Sequence, residues 1–182
     1  KNAIKRVGKQ LRQAGWMSHL GPCDESGKKP AARVGVIWRE GAVQVFHQRI
    51  KGETLRQASE RGVVAKYTVD VGWEKAYTCY NVYGCSGGSS ECRSITETLM
   101  TLCREEMQAD VHNPTMVLGD FNARPNSLGP ISTWSKEESW TDVGHRADWW
   151  GGQPDRWTCQ SKPDAKPSRI DGLVVDLSLI HI

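Results

Sequence analysis

No apolar run in the chain approaches the roughly 18 residues that a membrane span needs. Mean hydropathy is −0.55 and 25% of residues are charged. A soluble protein with no membrane partner is expected. No basic start followed by an apolar stretch stands at the N-terminus, so no secretory signal is legible there and localisation stays open. Cys23, Cys79, Cys85, Cys92, Cys103 and Cys159 include no Cys-x-x-Cys pair and have no histidine nearby at ligand spacing. That excludes the common zinc pattern and leaves reduced thiols as the expectation. The excess of one charge is small too: the net charge of +3 decides nothing about nucleic acid, because binders concentrate Lys and Arg on one face. The Gly- and Ser-rich stretch 84–90 lacks the Gly-Lys-Ser/Thr ending of a P-loop and reads as a loop, with Ser89 or Ser90 capping the helix after it.

With 182 residues, 38% of them hydrophobic, the chain is long enough for one domain with a real core. Residues 2–14 set Ile4, Val7, Leu11 and Ala14 on one side at helical spacing, with Lys5, Arg6, Lys9 and Arg12 around the rest. The basic face suits a phosphate backbone, although such a face is usually only solvated. Val34–Trp38, a turn at Glu40-Gly41 and Ala42–Phe46 read as a hairpin. Val63–Val69 and Tyr77–Tyr83 are further strands, so four in succession suggest a meander within an α+β layered sandwich. A helix over about 91–110 is expected to bury Cys92, Ile95, Leu99, Leu102 and Met107.

The most informative junction follows. Thr115-Met116-Val117-Leu118 is an apolar strand that runs into Gly119-Asp120-Phe121-Asn122. Strand alternation sends Asp120 and Asn122 to one face and Phe121 to the other, toward a core. Gly119, having no Cβ, permits close approach of another backbone or a phosphate. Ser168-Arg169-Ile170-Asp171-Gly172-Leu173-Val174-Val175 is a second apolar strand carrying an acid. A buried carboxylate there needs a cation, a histidine or a cluster of donors, with Arg169 as one structural partner.

Taken in order, Tyr80-Asn81-Val82-Tyr83-Gly84, Gly119-Asp120-Phe121-Asn122 and Ser168-Arg169-Ile170-Asp171 resemble the strand-end motifs of the endonuclease/exonuclease/phosphatase superfamily. That superfamily includes DNase I, exonuclease III, the abasic-site endonucleases, inositol polyphosphate 5-phosphatases and the endonuclease domains of non-LTR retrotransposons. The resemblance covers most of residues 1–176 and leaves 177–182 as a short tail. It implies a DNase I-like four-layer α/β sandwich, two packed mixed sheets flanked by helices, that is incomplete here. The superfamily's opening Asn and metal-ligating Glu strands and its closing Ser-Asp-His string have no match. On that reading the chain is a fragment with little activity alone and with exposed strand edges, Val174 and Val175 foremost.

The implied activity is metal-dependent phosphodiester hydrolysis with Mg²⁺ or Mn²⁺. DNA is the implied partner, within a larger polypeptide that carries reverse transcriptase. The resemblance gives Asp120 the task of orienting or deprotonating the attacking water and Asn122 that of holding the water or a phosphate oxygen. Tyr83 would donate to a phosphate oxygen, and Asp171 would orient a histidine. Neither His145 nor His112 lies at the superfamily's histidine position, and His181, the remaining surrogate, has no acid before it. Ser168 and Arg169 are candidate substrate-binding residues. Trp149 and Trp150 join them as the best placed of five tryptophans between 125 and 167. Those tryptophans either stack on splayed bases or pack short helices onto the sandwich. Two other functions stay open: a phosphatase of a phosphoinositide or other small phosphoester, and a non-enzymatic remnant that binds nucleic acid or nothing.

Overall fold

Ile4, Gly8 and Leu11 turn one side of the opening helix α1 (Asn2–Gln13) inward, while Lys5, Arg6, Lys9 and Arg12 stay exposed, and Val7, expected on the inner side, is 43% exposed. The chain is described here from a computed structural model, which covers all residues except 1, 22, 25–30, 33, 73–74, 110–112, 138–139, 161–162, 165–166 and 180–182. It divides into two compact units, Lys1–Asn81 and Val82–Ile182.

In the first unit α1 packs on β1 (Trp16–Leu20). The strands β2 (Cys23–Asp24) and β3 (Ala31–Ala32) form a short antiparallel pair. β4 (Gly35–Arg39) runs antiparallel to β1, with Trp16 opposite Arg39 and Leu20 opposite Gly35. β5 (Gln44–Gln48), α2 (Glu53–Glu60), β6 (Val64–Asp70) and β7 (Ala76–Tyr83) follow, with β5 antiparallel to β6 and β6 beside β7. The buried side chains include Ile50, Leu55, Val64, Tyr67 and Tyr80. Asn81 Nδ2 donates to the Gly35 carbonyl at 2.6 Å.

The expected hairpin over 34–46 does not form. The turn is present, closed by the Ala42 N–H on the Arg39 carbonyl at 3.2 Å, but β4 pairs with β1 and β5 with β6, in different sheets. A turn reverses the chain without choosing its neighbours, and alternating half-buried strands accept any antiparallel partner whose pattern matches. The meander is therefore three strands, β5, β6 and β7, rather than four.

The second unit receives the last two residues of β7. Ser89 then caps α3 (Ser90–Gln108), its hydroxyl accepting from the Cys92 N–H at 3.1 Å. The buried face of α3 is Thr96, Leu99, Met100, Cys103, Glu106 and Met107, whereas Ile95 is 51% exposed. Relative to the expected face, the helix is rotated toward Thr96 and Cys103. Reading only the large aliphatic residues misplaced it, because polar residues with partners share the buried stripe.

After α3 come β8 (Thr115–Asp120), α4 (Gly129–Glu137), β9 (Trp140–Asp142) and β10 (Asp171–Asp176). β10 lies between β8 and β9 and is antiparallel to both, so Val174 and Val175, expected at an exposed edge, are paired on both sides and buried. Val117, Phe121, Leu128, Ile131, Trp134, Trp140 and Val174 form the core. Leu177–Leu179 makes a short 3₁₀ turn beyond β10. Among the described residues, no helix is long and apolar enough to cross a membrane.

Candidate active site

Asp120 ends β8 and Asp171 begins β10, and the two are direct partners across the antiparallel ladder. Side chains of such a pair share a face, with Cβ atoms about 4.5–5.5 Å apart. The two carboxylates are thereby brought together from positions far apart in sequence. Asp171 is exposed, not buried as its apolar strand suggested, since it stands at the strand's first residue. Its own N–H and that of Ile170 both donate to the Thr158 hydroxyl, each at 3.2 Å.

Asn122 reaches the site by a turn, not by strand alternation. The strand stops at Asp120, Phe121 is fully buried, and Asn122 adopts φ +52, a left-handed backbone that asparagine tolerates better than most residues. The Asn122 N–H donates to Asp120 Oδ1 at 2.9 Å, and Asn122 Nδ2 donates to the Gly84 carbonyl at 2.9 Å. The Gly84 N–H in turn donates to the Asp120 carbonyl at 2.7 Å. This small network locks the end of β7, where Tyr83 stands, against the end of β8. Two glycines make the approach possible. A Cβ on Gly119 would lie 1.9 Å from the Val82 carbonyl oxygen, and one on Gly84 would lie 2.2 Å from that of Phe121. The close neighbour that Gly119 admits is thus the β7 backbone.

Arg169, a candidate substrate-binding residue, faces two acids. It is buried, donating through Nη1 to Asp142 Oδ2 at 2.8 Å and to Asp155 Oδ1 at 3.1 Å, and through Nη2 to Asp142 Oδ1. Burial works against its charge, but the two carboxylates outweigh it and raise its pKa. Asp155 Oδ2 also accepts from His145 Nδ1 at 2.8 Å. Burial pushes the Asp155 carboxyl up, yet His145 and Arg169 together hold it below the usual carboxylate range. Ser168 is tied by backbone bonds to Cys159, its N–H on the Cys159 carbonyl at 2.8 Å. Arg169, Asp155 and Thr158 therefore form a brace behind Asp171. Asp142 and Asp155 were not singled out from sequence. The only signal for Asp142 is an acid inside Trp140-Thr141-Asp142, a strand too short to show a period.

The tryptophans divide. Trp134 and Trp140 are buried with ring centres 5.5 Å apart, whereas Trp149, Trp150 and Trp157 are 53%, 52% and 53% exposed. Trp149 and Trp150 lie 5.8 Å apart, and the Arg146 guanidinium sits 5.2 Å over the Trp149 ring. His112 and His181 lie outside the described residues.

No cluster of three or more His, Cys, Asp or Glu side chains able to hold a metal occurs among the described residues. The donors at the strand ends are two carboxylates and an amide. Those are hard oxygen ligands of the kind Mg²⁺ takes, since it binds one or two carboxylates and keeps waters and substrate phosphates as its other ligands. On that chemistry the residues present fit Mg²⁺ or Mn²⁺.

No protein-family model matches the chain and no curated protein resembles it significantly. Solved structures do. The human Nocturnin catalytic domain with bound sulfate aligns with a TM-score of 0.62 and 14% identity, over 93% of this chain and 64% of that one. D. rerio TDP2 complexed with a single-strand DNA product aligns at 0.60 and 14%, over 96% and 66%. The 3' phosphatase NExo from Neisseria, bound to a product DNA hairpin, aligns at 0.61 and 18%, over 96% and 72%. The chain spans less than two-thirds of the Nocturnin and TDP2 chains. These neighbours are endonuclease/exonuclease/phosphatase superfamily structures, and the chain has their DNase I-like α+β fold.

Proposed function

We propose that the chain is a phosphodiesterase domain of the endonuclease/exonuclease/phosphatase superfamily that cleaves DNA with Mg²⁺ or Mn²⁺. The observation that carries this is the direct opposition of Asp120 and Asp171, with Asn122 tied to the backbone beside Tyr83. In this reading one oxygen of Asp120 is fixed by the Asn122 N–H, which orients the other toward an attacking water whose proton it takes. Asn122 keeps its side-chain oxygen for that water, because its amide nitrogen is engaged by Gly84. Tyr83 donates to a phosphate oxygen. Asp171, braced through Thr158, orients an imidazole by accepting from its N–H. The divalent cation, when bound, neutralises charge on the phosphoryl oxygens and stabilises the leaving oxygen.

The alternative is a small phosphoester substrate on the same fold. The exposed Trp149 and Trp150 with Arg146 above favour nucleic acid, since every base offers a face to stack. An abasic-site or retrotransposon-type endonuclease, the latter beside reverse transcriptase, is the narrower form of the same proposal. The test is Mg²⁺-dependent nicking of supercoiled plasmid by the chain within its natural polypeptide. The Asp120→Asn variant should nick about 10²- to 10⁴-fold more slowly. Nicking indifferent to that change, or hydrolysis of inositol polyphosphates in its place, would overturn the reading.

A further inference from the structure

Five of the 24 Lys and Arg residues, and none of the 21 Asp and Glu residues, precede residue 24. The positive charge is therefore concentrated on α1 and its immediate start, while the rest of the chain holds more acids than bases. Lys5, Lys9 and Arg12 recur at i, i+4 and i+7, which puts them on one stripe of the helix. That stripe walls a hollow of about 340 Å³, closed by Ile4, Gly8, Ser18 and Leu20. Gly8 and Ser18 set its floor: a Cβ on Gly8 would lie 3.7 Å from the Ser18 hydroxyl, so helix and strand approach closely there.

A merely solvated helix face usually mixes both signs at i, i+4 spacing. This one does not. Lys5 and Lys9 are like charges at i, i+4, and the first turn holds no acid to complement the helix dipole. The Lys5–Lys9 pair works against the helix, whereas Arg12 in the last turn suits its dipole. No acid among the described residues pairs with Lys5 or Lys9, and an anionic partner would offset their repulsion. At about 1.5 Å per residue the stripe spans roughly 10 Å. That is the axial length of about three phosphates of one DNA strand at 3.4 Å each.

We propose that Lys5, Lys9, Arg12 and the Ser18 hydroxyl form a phosphate-backbone contact for DNA, separate in the chain from the strand-end carboxylates. This rests on the nucleic-acid reading of the site. The contact carries no sequence information; it adds affinity and salt dependence.

The experiment measures binding of the chain to a fluorescent duplex with a single-stranded tail, by anisotropy, between about 50 and 200 mM KCl. The triple variant Lys5→Gln, Lys9→Gln, Arg12→Gln should lower the slope of log K against log salt by about 2 to 3 and weaken binding at least tenfold at the lowest salt. Lys5→Arg with Lys9→Arg should keep the slope, and so should Arg6→Gln on the other flank. A thermal melt shows that each variant is folded. If the wild-type chain binds DNA and the triple variant binds with the same slope, this contact is wrong and the DNA reading stands. If the wild-type chain binds no DNA, both fall. Binding to phosphatidylserine vesicles in place of duplex would assign the stripe to a membrane surface and overturn the proposal.

Discussion

Asp120 and Asp171 face each other as direct partners on β8 and β10, and no cation among the described residues pairs with Asp171. Like charges directly opposite one another destabilise a sheet, by about 0.2–1 kcal/mol before salt screening. Asp171→Asn should therefore raise the urea midpoint in EDTA. Added Mg²⁺ should stabilise the wild-type chain more than this variant, because a ligand of the folded state stabilises it by mass action. A variant less stable in EDTA would show that Asp171 has a favourable role without metal.

Gly119→Ala should cost about 2–5 kcal/mol. The new methyl would meet the Val82 carbonyl oxygen at 1.9 Å, on a backbone at φ +143. Urea unfolding followed by tryptophan fluorescence reads this, and a loss under 1 kcal/mol would mean that β7 and β8 can separate at their ends.

Removing the Arg169 guanidinium should be among the most damaging changes. Arg169→Ala leaves Asp142 buried and charged, at a cost of about 3–5 kcal/mol. Substituting Asp142→Asn at the same time should recover part of that loss, because the orphaned charge goes with it. A double-mutant cycle with no coupling would contradict the pairing.

Acid should weaken the first unit through His19. Its ring stacks on His47 at 4.4 Å and its Nδ1 lies 3.1 Å from the Tyr67 hydroxyl, a phenol that burial pushes up to about 12 and so keeps protonated. Burial first, then His47, lowers the His19 pKa. The unfolded imidazole titrates near 6.5, so the unfolded chain takes up the proton first. The stabilisation is complete above about pH 6.5 and is lost as pH falls from there through the lower folded value. The ring is partly exposed, so the expected drop in Tm between pH 7 and 5 is about 1–3 °C. A scan of His19→Asn beside the wild type isolates it, and parallel curves would refute it.

Thiol labelling should separate the cysteines. Burial pushes the Cys79 thiol up to about 12 and Cys103 higher still, with Glu106 adding to it. Iodoacetamide at pH 8 should modify the half-buried Cys85, Cys92 and Cys159 at least about tenfold faster, as peptide mass spectrometry would record. Equal rates would mean that the buried pair opens readily.

Local pattern sufficed wherever the signal was periodic or chemical. The opening helix, the strands ending at Tyr83 and Asp120, the Ser89 cap and the α+β class were legible because spacing and capping chemistry act between near neighbours. Phe121 is buried as alternation expected, although the strand ends at Asp120 and a turn, not alternation, aims Asn122. What the tertiary structure decided was partnership. The turn at Gly41 could not reveal that β4 belongs with β1, nor the aliphatic period of α3 that Thr96 and Cys103 lie inside while Ile95 does not. Asp171 met Asp120 only through the β8 and β10 register, and Arg169 found Asp142 and Asp155 only in the folded chain. Cross-strand neighbours and buried charge pairs depend on residues distant in sequence, and a local pattern carries no information about which distant partner closes the ladder or neutralises the charge.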